Sequence, residues 1–100
     1  MRESIDDTQR FITEECNTVK QMLIKKNIEY GNSAVNPMRI FSSCDSIEQL
    51  NVRIDDKLSR INNKQDKQIV EDTELDLIGY LILKRVAIRS AFERIKREEA

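Results

Sequence analysis

The chain is predicted to be all-α, with three main helices and one short helix, because its composition and its hydrophobic spacing both favour helices. It has two glycines, one proline and 35% charged residues among 100, a composition that is unusual for a β-sandwich. In three long segments apolar residues recur every three or four positions, which is the period of an amphipathic helix. The length suits a single domain, residues 1–100, and we expect residues 1–4 and 96–100 to fray.

The first helix is predicted to run from about Ser4 to Asn27. Three- and four-residue steps place one set of mostly apolar side chains on a common face. That set is Ile5, Thr8, Ile12, Cys16, Val19 and Leu23.

A loop and a short helix are predicted to follow. Residues 28–36 contain loop formers, among them Gly31, which can take a positive φ. Asn36 and Pro37 have the pattern of a helix cap followed by a first-turn proline, and this predicts a short helix through Phe41.

The second long helix is predicted to begin at Asp45 or Ser46. Each is followed three positions later by an acid or an amide, Glu48 or Gln49, which is the capping-box spacing. The predicted core face of this helix consists of Ile47, Leu50, Ile54, Leu58 and Ile61.

The third long helix is predicted from near Glu71 to about Arg97, after a polar connection over residues 62–68. Because this connection is short, the second and third helices should form an antiparallel hairpin. Between residues 75 and 95 the third helix is apolar on nearly every face. A three-helix monomer can hardly surround such a helix, so we predict a homo-oligomer, at least a dimer, with this helix at the interface.

Charge and residue usage exclude several classes of protein. The net charge is −1, from 17 basic and 18 acidic residues, so neither nucleic acid nor a membrane is expected as a partner. The chain has no histidine, which excludes histidine-based catalysis and histidine metal sites. Its two cysteines fit no metal-ligand spacing, and no signal peptide or apolar run near 18 residues occurs. We therefore expect a cytoplasmic protein with reduced thiols.

Asp76 is the first candidate for function, because it lies inside the most apolar stretch of the chain, residues 75–83. A carboxylate in such surroundings needs a cation, a metal or hydrogen bonds. Asp72 stands one helical turn earlier and Tyr80 one turn later, on the same face. The alternative is a salt bridge from Asp76 to Lys57 or to an arginine of a partner chain.

The predicted hairpin brings a basic face of the second helix towards Asp76. Counting outward from the middle of the linker puts Asp76 level with Asp56. Arg53, Lys57 and Arg60 are then candidate phosphate ligands, since arginine donates two parallel bonds and lysine offers a point charge. The alternative is that this basic face is only solvated.

Magnesium and a nucleobase are the other predicted contacts. A magnesium ion would be held by carboxylates together with water and phosphate oxygens. The candidate carboxylates are Asp72, Asp76, Asp56 and Glu15. Tyr30 and Asn32 in the loop could stack on a base or bond to it.

Three segments together resemble a phage family. They are Lys26-Asn-Ile-Glu-Tyr-Gly-Asn-Ser33, then Val52-Arg-Ile-Asp-Asp-Lys-Leu-Ser-Arg-Ile61, then Val70-Glu-Asp-Thr-Glu-Leu-Asp-Leu-Ile-Gly-Tyr80. In order and spacing they resemble the small nucleotide-modification-associated domain of phages and prophages. That family is similar to the all-α nucleoside triphosphate pyrophosphatases of the MazG and dimeric dUTPase type. Those enzymes are helical oligomers that bind magnesium through paired acidic motifs and cleave between the α and β phosphates.

The acidic motifs match those of the pyrophosphatases only in part. Asp76 matches the aspartate of their second acidic motif, but Thr73 stands where a glutamate is expected three positions earlier. Where the first motif has two glutamates one turn apart, this chain has Arg53 and Asp56. Losing an acid and gaining a base weakens a metal site and strengthens an anion site.

The resemblance implies a nucleotide-binding protein in the cytoplasm of an infected bacterial host. The first hypothesis is a magnesium-dependent nucleotide pyrophosphohydrolase with Asp76 and Asp72 as catalytic residues. The second is a non-catalytic sponge that sequesters a nucleotide immune signal, such as a cyclic dinucleotide, and so blocks host anti-phage defence. A third is a helical interaction module with no small ligand.

Overall fold

The computed structural model is all-α and describes residues 4–37, 44–63 and 67–99, with only the backbone described for residues 67–71. Within these ranges it contains three helices and no strand, so the predicted fold class is confirmed. The helices are α1 (Ile5–Glu29), α2 (Ser46–Asn63) and α3 (Lys67–Glu99). The short helix predicted through Phe41 falls largely on residues 38–43, which lie outside the described residues. None of the described helices is long and apolar enough to cross a membrane.

Two caps fix the beginnings of α1 and α2, and the second of them was predicted. The Ser4 hydroxyl accepts a hydrogen bond from the Asp7 backbone N–H at 3.0 Å. The Asp45 carboxylate accepts one from the Glu48 N–H at 2.7 Å. Each cap satisfies a backbone donor that has no partner inside the helix, and this is why the helices start at Ile5 and Ser46.

The end of α1 is a tight left-handed turn. Gly31 has a φ of 61° and Asn32 a φ of 68°, and asparagine is among the few residue types that tolerate this region. The Tyr30 N–H donates to the Lys26 carbonyl at 2.9 Å, and the Asn32 N–H donates to the Asn27 carbonyl at 3.2 Å. These bonds close the helix two residues later than predicted and turn the chain back towards α2.

The antiparallel hairpin of α2 and α3 contains most of the core. Leu50 and Ile54 on α2 are 2% and 9% exposed, and Ala87 on α3 is 3% exposed. Thr73 on α3 is also buried. The hairpin therefore has a narrow core along a single seam between the two helices.

Helix α1 packs on α3 where Gly79 allows close approach. A Cβ atom at Gly79 would lie 3.1 Å from Leu23 Cδ2 and 3.3 Å from Met22 Cε. Val19, one turn before Leu23, is 5% exposed. Because Gly79 has no side chain, the second half of α1 can pack closely on the hairpin.

Two details of the predicted helices are wrong. Leu58 was assigned to the core of α2 but is 50% exposed, because Lys57 takes the position in the α2–α3 seam and no described element covers the flank at Leu58. Helix α3 begins at Lys67 rather than near Glu71, since lysine and glutamine in the polar connection are themselves good helix formers.

Many large apolar side chains of α3 are exposed in this single chain. They are Ile78, Leu81, Ile82, Val86, Ile88, Phe92 and Ile95. Cys16 and Cys44, both in the described part of the chain, form no disulfide.

Candidate functional site

A cavity of about 540 Å³ opens between α1, the turn over residues 30–37 and the hairpin. We call it the interhelical cavity. Its size falls in the range of roughly 300–1,000 Å³ that is typical of small-molecule sites. The described residues that line it are Met22, Leu23, Lys26, Asn27, Tyr30, Ser33, Ala34, Pro37, Gln49, Leu50, Arg53, Asp76, Gly79, Tyr80 and Leu83.

Asp76 lies at the junction of all three helices. Its Oδ1 is 3.8 Å from Lys26 Nζ on α1, and its Oδ2 is 3.4 Å from Lys57 Nζ on α2. The Asp76 side chain is 35% exposed, and that of Lys57 is 14% exposed. Two lysines thus provide the positive charge that Asp76 requires. The pair with Lys57 is the salt bridge that the sequence analysis gave as the alternative to a metal.

Tyr80, one turn further along α3 than Asp76, contacts a third cation, Arg53. Arg53 Nη1 donates to Tyr80 Oη at 3.4 Å, and its guanidinium carbon lies 5.8 Å from the centre of the Tyr80 ring. Lys57 Nζ lies 6.0 Å from the same ring centre, so two cations contact one aromatic ring. Arg53 and Tyr80 both line the cavity, and this places a guanidinium and a phenol at its wall.

Two amide side chains add neutral polar groups. Asn27 Nδ2 donates to Asn32 Oδ1 at 2.8 Å, and Gln49 Nε2 donates to the Cys44 carbonyl at 3.0 Å. These bonds use one donor of each amide, so Asn27 and Gln49 keep further hydrogen-bonding capacity in the cavity lining.

The structure separates the predicted ligand-binding residues into two groups. Arg53 and Tyr30 line the cavity, and Lys57 contacts its carboxylate Asp76. Arg60 is exposed and pairs with Asp56 at 3.1 Å instead. Asn32 holds the turn through its bond to Asn27 and is not a lining residue.

The four predicted metal ligands do not converge. Within the described part of the chain, no three carboxylates come together in a way that could hold a metal ion. Glu15 is exposed on α1, and Asp72 is exposed on α3. Asp56 is engaged by Arg60.

Magnesium does not fit the residues that are present. Asp76 is the only acid among the described lining residues, and two ammonium groups already neutralise it. A divalent cation there would be repelled by both lysines, so we derive no step through a metal.

Thr73 stands where the resemblance to the pyrophosphatases would place a glutamate. This position is only 7% exposed, so its side chain belongs to the packed hairpin rather than to a site open to solvent. An ionised glutamate would be costly at such a position without a partner.

Lys26 lines the cavity but was not named as a candidate from the sequence. It stands seven residues after Val19 and four after Met22, on the face of α1 that packs against α3, and this spacing is a weak signal for it. Its side chain is 49% exposed and meets Asp76 at 3.8 Å.

Comparison with known protein families, curated proteins and solved structures gives no match for this chain.

Proposed function

We propose that the chain binds a phosphorylated nucleotide in the interhelical cavity and holds it without cleaving it. The observation that supports this most is the grouping of cations and aromatic rings around one open cavity. Lys26, Arg53 and Tyr80 line it, with Lys57 directly behind Asp76. Phosphate recognition by lysine and arginine, next to rings on which a base can stack, is the chemistry that nucleotides require.

The charge around the cavity favours a ligand with about two negative charges. Three cations, Lys26, Arg53 and Lys57, surround the single carboxylate of Asp76, which leaves an excess of two positive charges. The distances from the lysines to Asp76, 3.8 and 3.4 Å, are longer than a charge-assisted hydrogen bond of roughly 2.8 Å. Lys26 lines the cavity and its ammonium group has three donors, so it can bind a phosphate while it also contacts Asp76. Lys57, 14% exposed and 3.4 Å from Asp76, adds its positive charge without lining the cavity.

The base would bind at the aromatic and amide residues of the cavity. Tyr30 is 65% exposed beside it, and an exposed ring can stack on a base at little cost in ordering. Asn27 and Gln49 can bond to the base edge with the groups that their contacts within the chain leave available. Leu23, Leu50 and Leu83 supply an apolar floor.

Capture rather than hydrolysis is proposed because the acids needed for a metal mechanism are dispersed. A hydrolase of this kind needs a cation to neutralise the developing charge and to activate a water. Together with the resemblance to a phage family, this favours a sponge in an infected bacterial host. A nucleotide immune signal such as a cyclic dinucleotide would be a suitable ligand. We also propose that the sponge is a homo-oligomer.

The test is calorimetric titration with nucleoside mono-, di- and triphosphates and with cyclic dinucleotides, once in EDTA and once in magnesium. We expect at least one nucleotide to bind in EDTA and to be recovered intact by chromatography after heat release. Recovery of cleaved product only in the magnesium series would instead identify a hydrolase. If no nucleotide binds or raises the melting temperature, the proposal is wrong and an interaction module remains.

A further inference from the structure

Half of α1 extends beyond the hairpin, and none of the described elements covers it. Helix α1 meets α3 near Leu23 and Gly79, and every residue from 8 to 18 is exposed. At 1.5 Å per residue, residues 5–18 span roughly 21 Å. A lone helix of this length is marginal in water, so its apolar side chains need a partner surface.

The apolar side chains of this half continue the face that α1 buries elsewhere. Ile5 and Ile12 precede Val19 by fourteen and seven residues, a spacing that keeps all three on nearly one side of the helix. Val19 is 5% exposed, whereas Ile12 is 57% and Ile5 is 77% exposed. The packing face of α1 therefore extends beyond the surface that its own hairpin offers.

Helix α3 has an uncovered apolar stripe of its own. Leu81, Ile88, Phe92 and Ile95 lie on one face and are 38–62% exposed. Ile88 follows Gly79 by nine residues, which at roughly 100° per residue puts it on the opposite side of α3. Because α1 of the same chain packs at Gly79, it lies on the wrong side of α3 to cover this stripe.

The two uncovered halves have opposite charge. Residues 5–16 of α1 contain four acids and one base, and residues 84–97 of α3 contain six bases and one acid. Two such α3 halves facing each other would repel, as would two such α1 halves. An α1 half facing an α3 half would attract, and this complementarity decides between the possible pairings.

We propose that two copies of the chain form a reciprocal dimer, in which residues 5–18 of each α1 pack on the Leu81–Ile95 face of the other copy's α3. A two-fold axis makes the two contacts identical. The shape of the single chain agrees with this, because its radius of gyration is 16.7 Å against about 13 Å for a compact chain of 100 residues. The proposal goes beyond nucleotide binding and does not depend on it.

The test exchanges the charges and then mixes the variants. One chain has Asp6→Lys with Glu15→Lys on α1, and the other has Arg85→Glu, Arg89→Glu and Lys96→Glu on α3. All five positions are exposed, and none of them lines the interhelical cavity. The first variant makes its α1 half net positive and the second makes its α3 half net negative, so each variant alone places like charges at both contacts of the dimer. In an equal mixture one contact joins the two altered halves and the other joins the two unaltered halves, and both then have opposite charges.

The readout is mass by light scattering after size exclusion, with circular dichroism to show that each variant is folded. We expect wild type to be a dimer or a multiple of one. Each variant should dissociate at concentrations roughly tenfold or more above those of wild type, and the mixture should recover the wild-type mass. As a matched control, Asp55→Lys with Asp56→Lys changes two adjacent exposed acids on α2, of which Asp56 pairs with Arg60, and should leave the mass unchanged.

Three results would overturn the proposal. If the wild-type chain is a monomer, no second copy packs on these two faces. If only the α3 variant loses mass, the α3 stripe pairs with a surface other than α1 of the second copy. Two dissociated variants that do not recover on mixing show that the charges act within one chain rather than between two. Since none of these readouts involves a nucleotide, failure here is distinct from failure of the proposed binding function.

Discussion

At the scale of single residues, Asp76 organises the candidate site by holding two lysines rather than a metal. Lys26 comes from α1 and Lys57 from α2, and the carboxylate on α3 is shared between them. The sequence correctly indicated that this acid needs a positive partner, since its neighbours are apolar on both sides. Its signal for Lys26 was weak, because the docking of α1 depends on contacts between residues more than fifty positions apart.

Replacing Asp76 tests whether its carboxylate pairs only with the two lysines or also contacts the ligand or a metal. We expect Asp76→Asn to keep nucleotide binding in EDTA, with affinity unchanged or up to roughly threefold tighter, because Lys26 loses a competitor for phosphate and the cavity loses a negative charge. The free energy of unfolding should fall by about 1 kcal/mol, as the pairs are only partly buried. Titration calorimetry and urea unfolding measure the two effects.

The matched control is Asp56→Asn, which removes a surface carboxylate paired with Arg60 and should change neither quantity by much. Loss of binding by more than roughly tenfold in Asp76→Asn alone would mean that this carboxylate contacts the ligand or a metal directly.

At the scale of helices, the beginnings of α1 and α2 were predicted, that of α3 was not, and the packing between helices was predicted only in part. Caps are local, so Asp45 could be recognised from Glu48 three positions later. The hairpin register was predicted one residue away from that observed, with Asp76 level with Asp56 where the structure pairs it with Lys57. The register depends on where the helices begin and end around the linker, and helix ends are the least certain part of any sequence pattern.

Gly79 sets the distance between α1 and α3. Comparing an alanine with a leucine at this position distinguishes the effect of helix propensity from the effect of close packing. Gly79→Ala should change the free energy of unfolding by less than about 1 kcal/mol, since better helix propensity offsets a small shift of Leu23 and Met22. Gly79→Leu should cost roughly 1–3 kcal/mol by overpacking and should weaken nucleotide binding, because α1 forms one wall of the cavity.

Urea unfolding and titration calorimetry on both variants would measure this contrast. Equal stability and equal affinity for alanine and leucine at this position would show that α1 does not pack on α3 here.

At the scale of the whole molecule, the described core is small for a chain of this length. The buried apolar side chains among the described residues are Val19, Leu50, Ile54 and Ala87. Periodicity identified the faces of the helices but could not tell which part of each face the chain itself covers. Leu58 and the α3 stripe are apolar by sequence and exposed in the single chain, because the arrangement of the helices decides which part of each face is covered.

Core truncation would measure how much stability this narrow seam provides. Leu50→Ala, at a position 2% exposed, should lower the free energy of unfolding by roughly 2–5 kcal/mol through lost burial and a residual cavity. Leu58→Ala on the same helix, at a position 50% exposed, should cost about 1 kcal/mol or less. Equal losses in urea unfolding would contradict the assignment of the seam.

The central claim is that the cations of the interhelical cavity bind the phosphate of a nucleotide. It is tested most directly by comparing Arg53→Gln with Arg60→Gln in calorimetric titrations with the best-binding nucleotide, in EDTA. Both changes remove one arginine from α2, but only Arg53 lines the cavity, while Arg60 pairs with Asp56 at the surface. We predict that Arg53→Gln weakens binding by roughly tenfold or more and that Arg60→Gln leaves it within about twofold of wild type. Equal affinities for the two variants, or a greater loss at Arg60, would contradict the claim.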